Sequence, residues 1–152
     1  LGDILHSRVA RTDILALNKL GVDVHLAGPK TLIPPDIAAM GVTIHNRIET
    51  AMENADVVYV LRIQLERQKK GLFPTPREYA RIFGVNAARM KLAKPDAIIM
   101  HPGPMNRGLE IAPDVAYDEN SAITEQVKNG VAIRMALLYL TLMGGRSNEL
   151  ID

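Results

Sequence analysis

Cysteine and tryptophan are both absent from this 152-residue chain, and only 4% of its residues are aromatic. Without cysteine there is no disulfide, no thiolate metal site and no cysteine nucleophile, a pattern that fits a reducing, cytoplasmic setting. Net charge is almost missing as well. Eighteen Lys+Arg against seventeen Asp+Glu leave +1, so no whole-chain field favours a nucleic acid, a membrane surface or another polyanion as partner. The longest uncharged apolar-rich stretch, 135 to 145, is about half the ~20 residues that a membrane-spanning helix needs. The chain opens Leu1-Gly2-Asp3-Ile4-Leu5-His6-Ser7, with neither an initiator methionine nor a basic-then-apolar leader. That opening predicts an interior start, with part of any active site on residues outside the chain.

What is present is an ordinary globular composition: 47% apolar, 23% charged, mean hydropathy +0.03, which excludes disorder and predicts one domain. Short β-branched runs at 22–26, 42–45, 56–61 and 96–100 read as strands. Leu1 to Leu5 reads as the stub of a truncated first strand. Between them lie helical patterns: Ala10, Ile14 and Leu17 before Gly21, then 35–40 before Gly41, then 48–54, then 76–83 and 86–92. Strand and helix alternate, which predicts an α/β fold: a doubly wound parallel sheet with helices on both faces. The expected strand order is 3-2-1-4-5. A domain over 1–120 is followed by a long helix over 121–143, apolar nearly all round in its second half, and a tail over 144–152. Such a helix is normally covered on more than one side, and it is expected to pack on structure outside the chain.

In an open parallel sheet, ligands bind at the carboxyl ends of strands near the point where strand order reverses. Three polar clusters follow such ends: 6–11 after the first strand, 62–67 after the fourth and 101–108 after the fifth. In the expected order those three strands are neighbours, so the clusters converge on one crevice. Arg8 stands at a helix N-terminus, where the guanidinium fork and unpaired N–H groups both suit a carboxylate. Arg62 and Gln64, two apart on an extended segment, point the same way and can grip a second one. Pro102-Gly103-Pro104 offers mainly backbone carbonyls, which suits an amide or amine donor, and a plain turn remains the alternative. His101 beside that turn reads as a structural hydrogen-bonding group. His6, His25 and His45 lack ligand-like spacing, so no metal is expected. The glycine fingerprints of dinucleotide and nucleoside triphosphate sites are missing, which argues against a doubly wound nucleotide-binding protein.

Four stretches go further. These are Gly2-Asp3-Ile4-Leu5-His6-Ser7-Arg8-Val9-Ala10-Arg11, Leu61-Arg62-Ile63-Gln64-Leu65-Glu66-Arg67-Gln68, Met100-His101-Pro102-Gly103-Pro104-Met105-Asn106-Arg107-Gly108 with Glu110-Ile111, and Gln126-Val127-Lys128-Asn129-Gly130-Val131-Ala132-Ile133-Arg134. In this order they closely resemble the second half of the catalytic chain of the aspartate carbamoyltransferase family, its aspartate-binding domain and closing helix. The resemblance implies transfer of a carbamoyl group from carbamoyl phosphate to the amino group of L-aspartate, early in pyrimidine synthesis. It implies no cofactor and no covalent enzyme intermediate. Arg8 would hold the α-carboxylate, and Arg62, oriented by Gln64 and Glu66, the side-chain carboxylate. Gly103 and Pro104, supported by Pro102, would present carbonyls to the carbamoyl amide and the attacking amine. The 71–77 stretch matches a loop that closes over aspartate, or is an ordinary exposed turn.

By the same resemblance, the phosphate-binding Ser-Thr-Arg-Thr loop, a carbonyl-polarising arginine and histidine, and a lysine from a neighbouring subunit lie outside this sequence. The 152 residues alone are expected to be inactive. The implied partners are an N-terminal carbamoyl-phosphate domain, onto which the last helix crosses, and a homotrimer of catalytic chains. Regulatory chains or dihydroorotase join some relatives, and the sequence favours neither. Two alternatives stay open: a transcarbamoylase for another amino acid such as ornithine, and a non-catalytic dicarboxylate-binding or assembly module.

Overall fold

The computed structural model describes residues 1–64 and 75–143. Helix α1, Arg8–Lys19, begins where the Ser7 hydroxyl accepts the Ala10 N–H at 3.1 Å, a side-chain N-cap for an otherwise orphaned donor. Its Ala10 and Ile14 turn inward, and the chain leaves it through Gly21 in the left-handed region, φ 73°. Two strands follow, β1 (His25–Ala27) and β2 (Thr43–His45), paired in parallel with Leu26 opposite Ile44. Between them Ile37–Met40 forms a 3-10 turn that Gly41 ends at φ 75°, where a short α-helix was expected.

Helix α2 (Ile48–Met52) leads to β3 (Val57–Tyr59). After the undescribed stretch, α3 (Pro76–Phe83) starts with Thr75 capping the Glu78 N–H and Pro76 in its first turn. Asn86 caps α4 (Ala87–Met90), then β4 (Ile98–Met100) pairs in parallel with β3, and α5 (Pro113–Ala116) precedes α6 (Ile123–Met143). The Arg89 guanidinium ties α3, α4 and α2 together. It donates to the carbonyls of Arg81, Ile82 and Gly84 and to Glu49 at 2.9 Å.

The alternation of parallel strands and helices makes this an α/β fold. The strands form two pairs, β1–β2 and β3–β4. Leu1 and Gly2 reach both: the Leu1 nitrogen donates to Tyr59 O, Leu61 N donates to Leu1 O, and Gly2 N donates to Ala27 O, each at 2.7–2.8 Å. The expected strand over 1–5 is therefore corrected: none of these residues is strand, and only Leu1 and Gly2 make hydrogen bonds to the neighbouring strand segments. Gly2, at φ 113°, already bends the chain away, and Leu5–His6 is a turn closed by the Ser7 N–H on Ile4 O. The second strand is also displaced: Val22 to Val24 are not strand, and β1 starts at His25.

Neighbouring side chains on the strands enter different apolar clusters. Ala27 and Val60 join Met52, Val58, Ile99 and Ile111, whereas Leu26 and Leu61 join Ile4, Ile14 and Ile37. A third cluster of Ile63, Tyr79 and Leu109 lies under the polar loops. Helix α6 is the exception to all this packing. Ile123 is buried, but Val131, Ile133, Leu137, Leu138, Leu140 and Leu142 are all more than half exposed. Among the described residues no helix is long and apolar enough to cross a membrane.

Candidate functional site

Each predicted cluster is placed by a specific local device. Arg8, exposed, is the first residue of α1, held there by the buried Ser7 cap. Behind it, buried Asp3 receives both the backbone N–H and Nδ1 of His6, at 3.1 and 3.0 Å. Arg62 and Gln64 alternate with Leu61 and Ile63, which are buried, so both polar side chains leave the same face of an extended segment, half-exposed. Pro102 and Gly103 are half-buried and Pro104 exposed, with a cis peptide between Gly103 and Pro104. Gly103 sits at φ 64°, a conformation that costs a residue with a Cβ about 1–3 kcal/mol. Glu66 and residues 71–74 of the expected closing loop lie outside the described residues, as does the tail from 144.

Hydrogen bonds set these stretches side by side. Leu61 N donates to Leu1 O at 2.8 Å, joining the 61–64 segment to the residues that lead into Arg8. Asn106 Nδ2 donates to Ile63 O at 2.8 Å, joining the same segment to the proline loop on its other side. The loop itself is held from within. Gly103 N–H donates to His101 Nδ1 at 2.9 Å, and His101 Nε2 lies 3.2 Å from Glu110 Oε1, with both side chains fully buried. Because Nδ1 accepts a hydrogen bond, the ring carries its hydrogen on Nε2 and donates it to Glu110. The His101 N–H is taken by Gln126 Oε1 at 3.0 Å, and Gln126 Nε2 donates to the Tyr59 hydroxyl at 2.7 Å. Burial, with help from the Asp13 charge, raises the Tyr59 hydroxyl above its ordinary value, so it stays protonated as a hydrogen-bonding group. Tyr79 is raised further by its deep burial and by the Glu110 and Asp3 charges.

Arg8, Arg62, Gln64 and the proline loop were expected from the sequence and lie on adjacent segments, whereas Glu110, Asn106 and Gln126 had been given no role. One usable signal was Glu110 itself, a single charge between the apolar Leu109 and Ile111, both of which the fold buries. His25 and His45 had likewise been kept apart. The parallel register sets Ala27 opposite His45, and the two rings stack at 4.9 Å with His45 Nε2 2.9 Å from His25 Nδ1. Among the described residues no group of three or more His, Cys, Asp and Glu is placed to hold a metal ion.

Comparison with known proteins narrows the chemistry. Residues 1–141 match the family described as aspartate/ornithine carbamoyltransferase, Asp/Orn binding domain. The aspartate carbamoyltransferase catalytic subunit of Heliobacterium modesticaldum is 63% identical over 145 residues, covering 95% of this chain and 46% of that protein. Among solved structures, ornithine carbamoyltransferase from Pyrococcus furiosus superposes with a TM-score of 0.74 at 30% identity, over 91% of this chain and 47% of its own. Aspartate transcarbamoylase from Trypanosoma cruzi, in complex with carbamoyl aspartate and phosphate, gives 0.71 at 31% identity, again over 91% and 47%. The chain spans about half the length of the relatives it matches. Matched along 141 of its 152 residues, this chain belongs to the aspartate/ornithine carbamoyltransferase family, whose Asp/Orn-binding domain it forms.

Proposed function

We propose that this chain is the aspartate-binding half of an aspartate carbamoyltransferase. In the whole enzyme the L-aspartate amine attacks the carbonyl carbon of carbamoyl phosphate. A C–N bond forms, the C–O bond to phosphate breaks, the amine's proton passes to the departing phosphate, and N-carbamoyl-L-aspartate and hydrogen phosphate leave, in the pathway that makes pyrimidines. The observation that carries this reading is the pair of hydrogen bonds, Leu61 N to Leu1 O and Asn106 Nδ2 to Ile63 O, that puts two arginine-bearing segments and a carbonyl-presenting loop side by side. Arg8, at the positive end of α1, would take the α-carboxylate. Arg62, with Gln64 beside it and Glu66 four residues on, would take the side-chain carboxylate as a fork. Gly103 and Pro104, backed by Pro102, would present carbonyls to the carbamoyl N–H groups and the attacking amine. The work is orientation of two substrates, which can supply about 7–11 kcal/mol of a barrier.

The remaining architecture follows from the same reading. Leu1 and Gly2 bond to β1 on one side and to β3 on the other, which supports one doubly wound sheet in the order 3-2-1-4-5 rather than two separate pairs. The exposed apolar side chains of α6 support a crossing to a carbamoyl-phosphate domain outside this chain. A homotrimer of such chains would complete each site.

Fold similarity does not separate aspartate from ornithine, because structures of both superpose comparably. Arg62 supports aspartate: an arginine meets a second carboxylate well and a cationic side chain badly. The test is Arg62→Ala in the full-length chain, with initial rates measured against each substrate. The half-saturating aspartate concentration should rise roughly a hundredfold, and that for carbamoyl phosphate no more than about twofold. Equal losses for both substrates would overturn the assignment, and dicarboxylate binding without turnover would favour a non-catalytic module.

A further inference from the structure

We infer that His101, Glu110 and Asn106 form a hydrogen-bonded hub that fixes the Gly103–Pro104 loop and the Arg62–Gln64 segment at one separation, making all three positioning residues for aspartate. The inference rests on the proposed function and adds to it groups that touch neither substrate. Glu110 is fully buried, and its Oε1 receives two donors from one loop: His101 Nε2 at 3.2 Å and the Asn106 N–H at 2.6 Å. The first bond sets the His101 tautomer, and so frees Nδ1 to accept the Gly103 N–H at 2.9 Å. With Glu110 replaced by an apolar residue, the buried Nε2 hydrogen loses its acceptor, and only the Gly103 N–H still selects that tautomer. The second bond orients Asn106, whose Nδ2 reaches across to Ile63 O at 2.8 Å. Ile63 lies between Arg62 and Gln64, so that carbonyl is the point on the arginine segment held by the loop. The contact is backed by the buried packing of Ile63, Tyr79 and Leu109.

The chemistry of each group fits a positioning role. Glu110 Oε2 makes no hydrogen bond among the described residues, so an amide nitrogen can replace it while the amide oxygen keeps both donors. Glu110→Gln is therefore the conservative substitution, and Glu110→Leu the disruptive one. Asn106 is only half-buried, which makes it the cleaner probe. Asn106→Ala removes the donor, and Asn106→Asp keeps the shape but sets an oxygen against the Ile63 carbonyl.

The experiment measures kcat and both half-saturation constants in the full-length chain for Asn106→Ala, Asn106→Asp, Glu110→Gln and Glu110→Leu, with Arg62→Ala and thermal midpoints alongside. A misplacement of about 1 Å can cost a hundredfold. The expected result is an aspartate KM raised roughly tenfold by Asn106→Ala and more by Asn106→Asp. In the two Asn106 variants, which cut only the tie to the arginine segment, the carbamoyl phosphate KM should stay within about twofold, and Glu110→Gln should remain near wild type on all three constants. Glu110→Leu should share the aspartate defect, and if it fails to fold the two Asn106 variants decide alone. Asn106→Asp with an unchanged aspartate KM, while Arg62→Ala raises it, would overturn the hub and leave the site reading intact. An unchanged aspartate KM in Arg62→Ala would overturn both. A Glu110→Gln variant as impaired as Asn106→Ala would overturn the acceptor role given to Glu110.

Discussion

Among the described glycines, Gly28 leaves the least room for a Cβ, and replacing it with alanine should damage both stability and aspartate binding. A Cβ built on Gly28 would lie 2.2 Å from the Gly2 carbonyl oxygen, whereas real Cβ contacts stay beyond 3.0 Å. The two backbones must therefore open by about 0.8 Å, the difference between those distances. Neither partner is the end of a flexible side chain. Gly2 is buried, its N–H donates to Ala27 O at 2.8 Å, and the preceding carbonyl, on Leu1, accepts from Leu61. Overpacking of this kind costs about 1–3 kcal/mol, and straining a buried backbone hydrogen bond adds about another 1 kcal/mol. We expect a loss of about 3 kcal/mol, read as a shift in the urea midpoint of the full-length chain. Gly21→Ala is the matching control, because Gly21 has a positive φ but nothing within 4 Å of its Cβ position; it should cost about 1 kcal/mol from backbone strain alone. The displaced Gly2 also leads into Asp3, Ser7 and Arg8, so the aspartate KM should rise as well. A Gly28→Ala variant no less stable than Gly21→Ala would refute the reasoning.

Two further predictions test single contacts. Ser7→Ala removes the cap on α1 and should cost about 1 kcal/mol, with a raised aspartate KM because Arg8 rides on the first turn; a thermal melt and a saturation curve check both. At Glu49, burial works to raise the carboxyl, but hydrogen bonds from its own backbone N–H and from Arg89, with the Arg89 charge, outweigh it and hold the value below 4.5. A depressed value contributes stability above 4.5, and that contribution is lost as pH falls through the lower, folded-state value. The midpoint difference between wild type and Glu49→Gln should therefore shrink below pH 4.5, and a difference constant with pH would contradict the pairing.

Much of this was legible from residue order because the local signals agreed with the fold. Helix starts were expected at Arg8, Pro76 and Asn86 and stops at Gly21 and Gly41; the structure caps those starts with Ser7, Thr75 and Asn86 and turns the chain at both glycines. Arg8 and Arg62 were singled out for a different reason: they stand just after strand-like runs, where an α/β fold places ligands. What escaped was long-range and polar. No periodicity links Glu110 to His101 or Asn106 to Ile63, since those bonds depend on how a ten-residue loop folds on itself and on a segment 43 positions away. The His25–His45 contact escaped in the same way, because it needs the β1–β2 register. Strand 1–5 was overread because apolar residues predict burial, which Ile4 satisfies at the head of a turn, outside any strand.

The central claim is that the acceptor is a dicarboxylic amino acid. The most direct measurement gives the full-length chain carbamoyl phosphate with equal L-aspartate and L-ornithine and quantifies both products. The expected result is N-carbamoyl-L-aspartate with no detectable citrulline, and loss of that product in Arg62→Ala. Citrulline as the main product, or undiminished carbamoyl aspartate from Arg62→Ala, would contradict it.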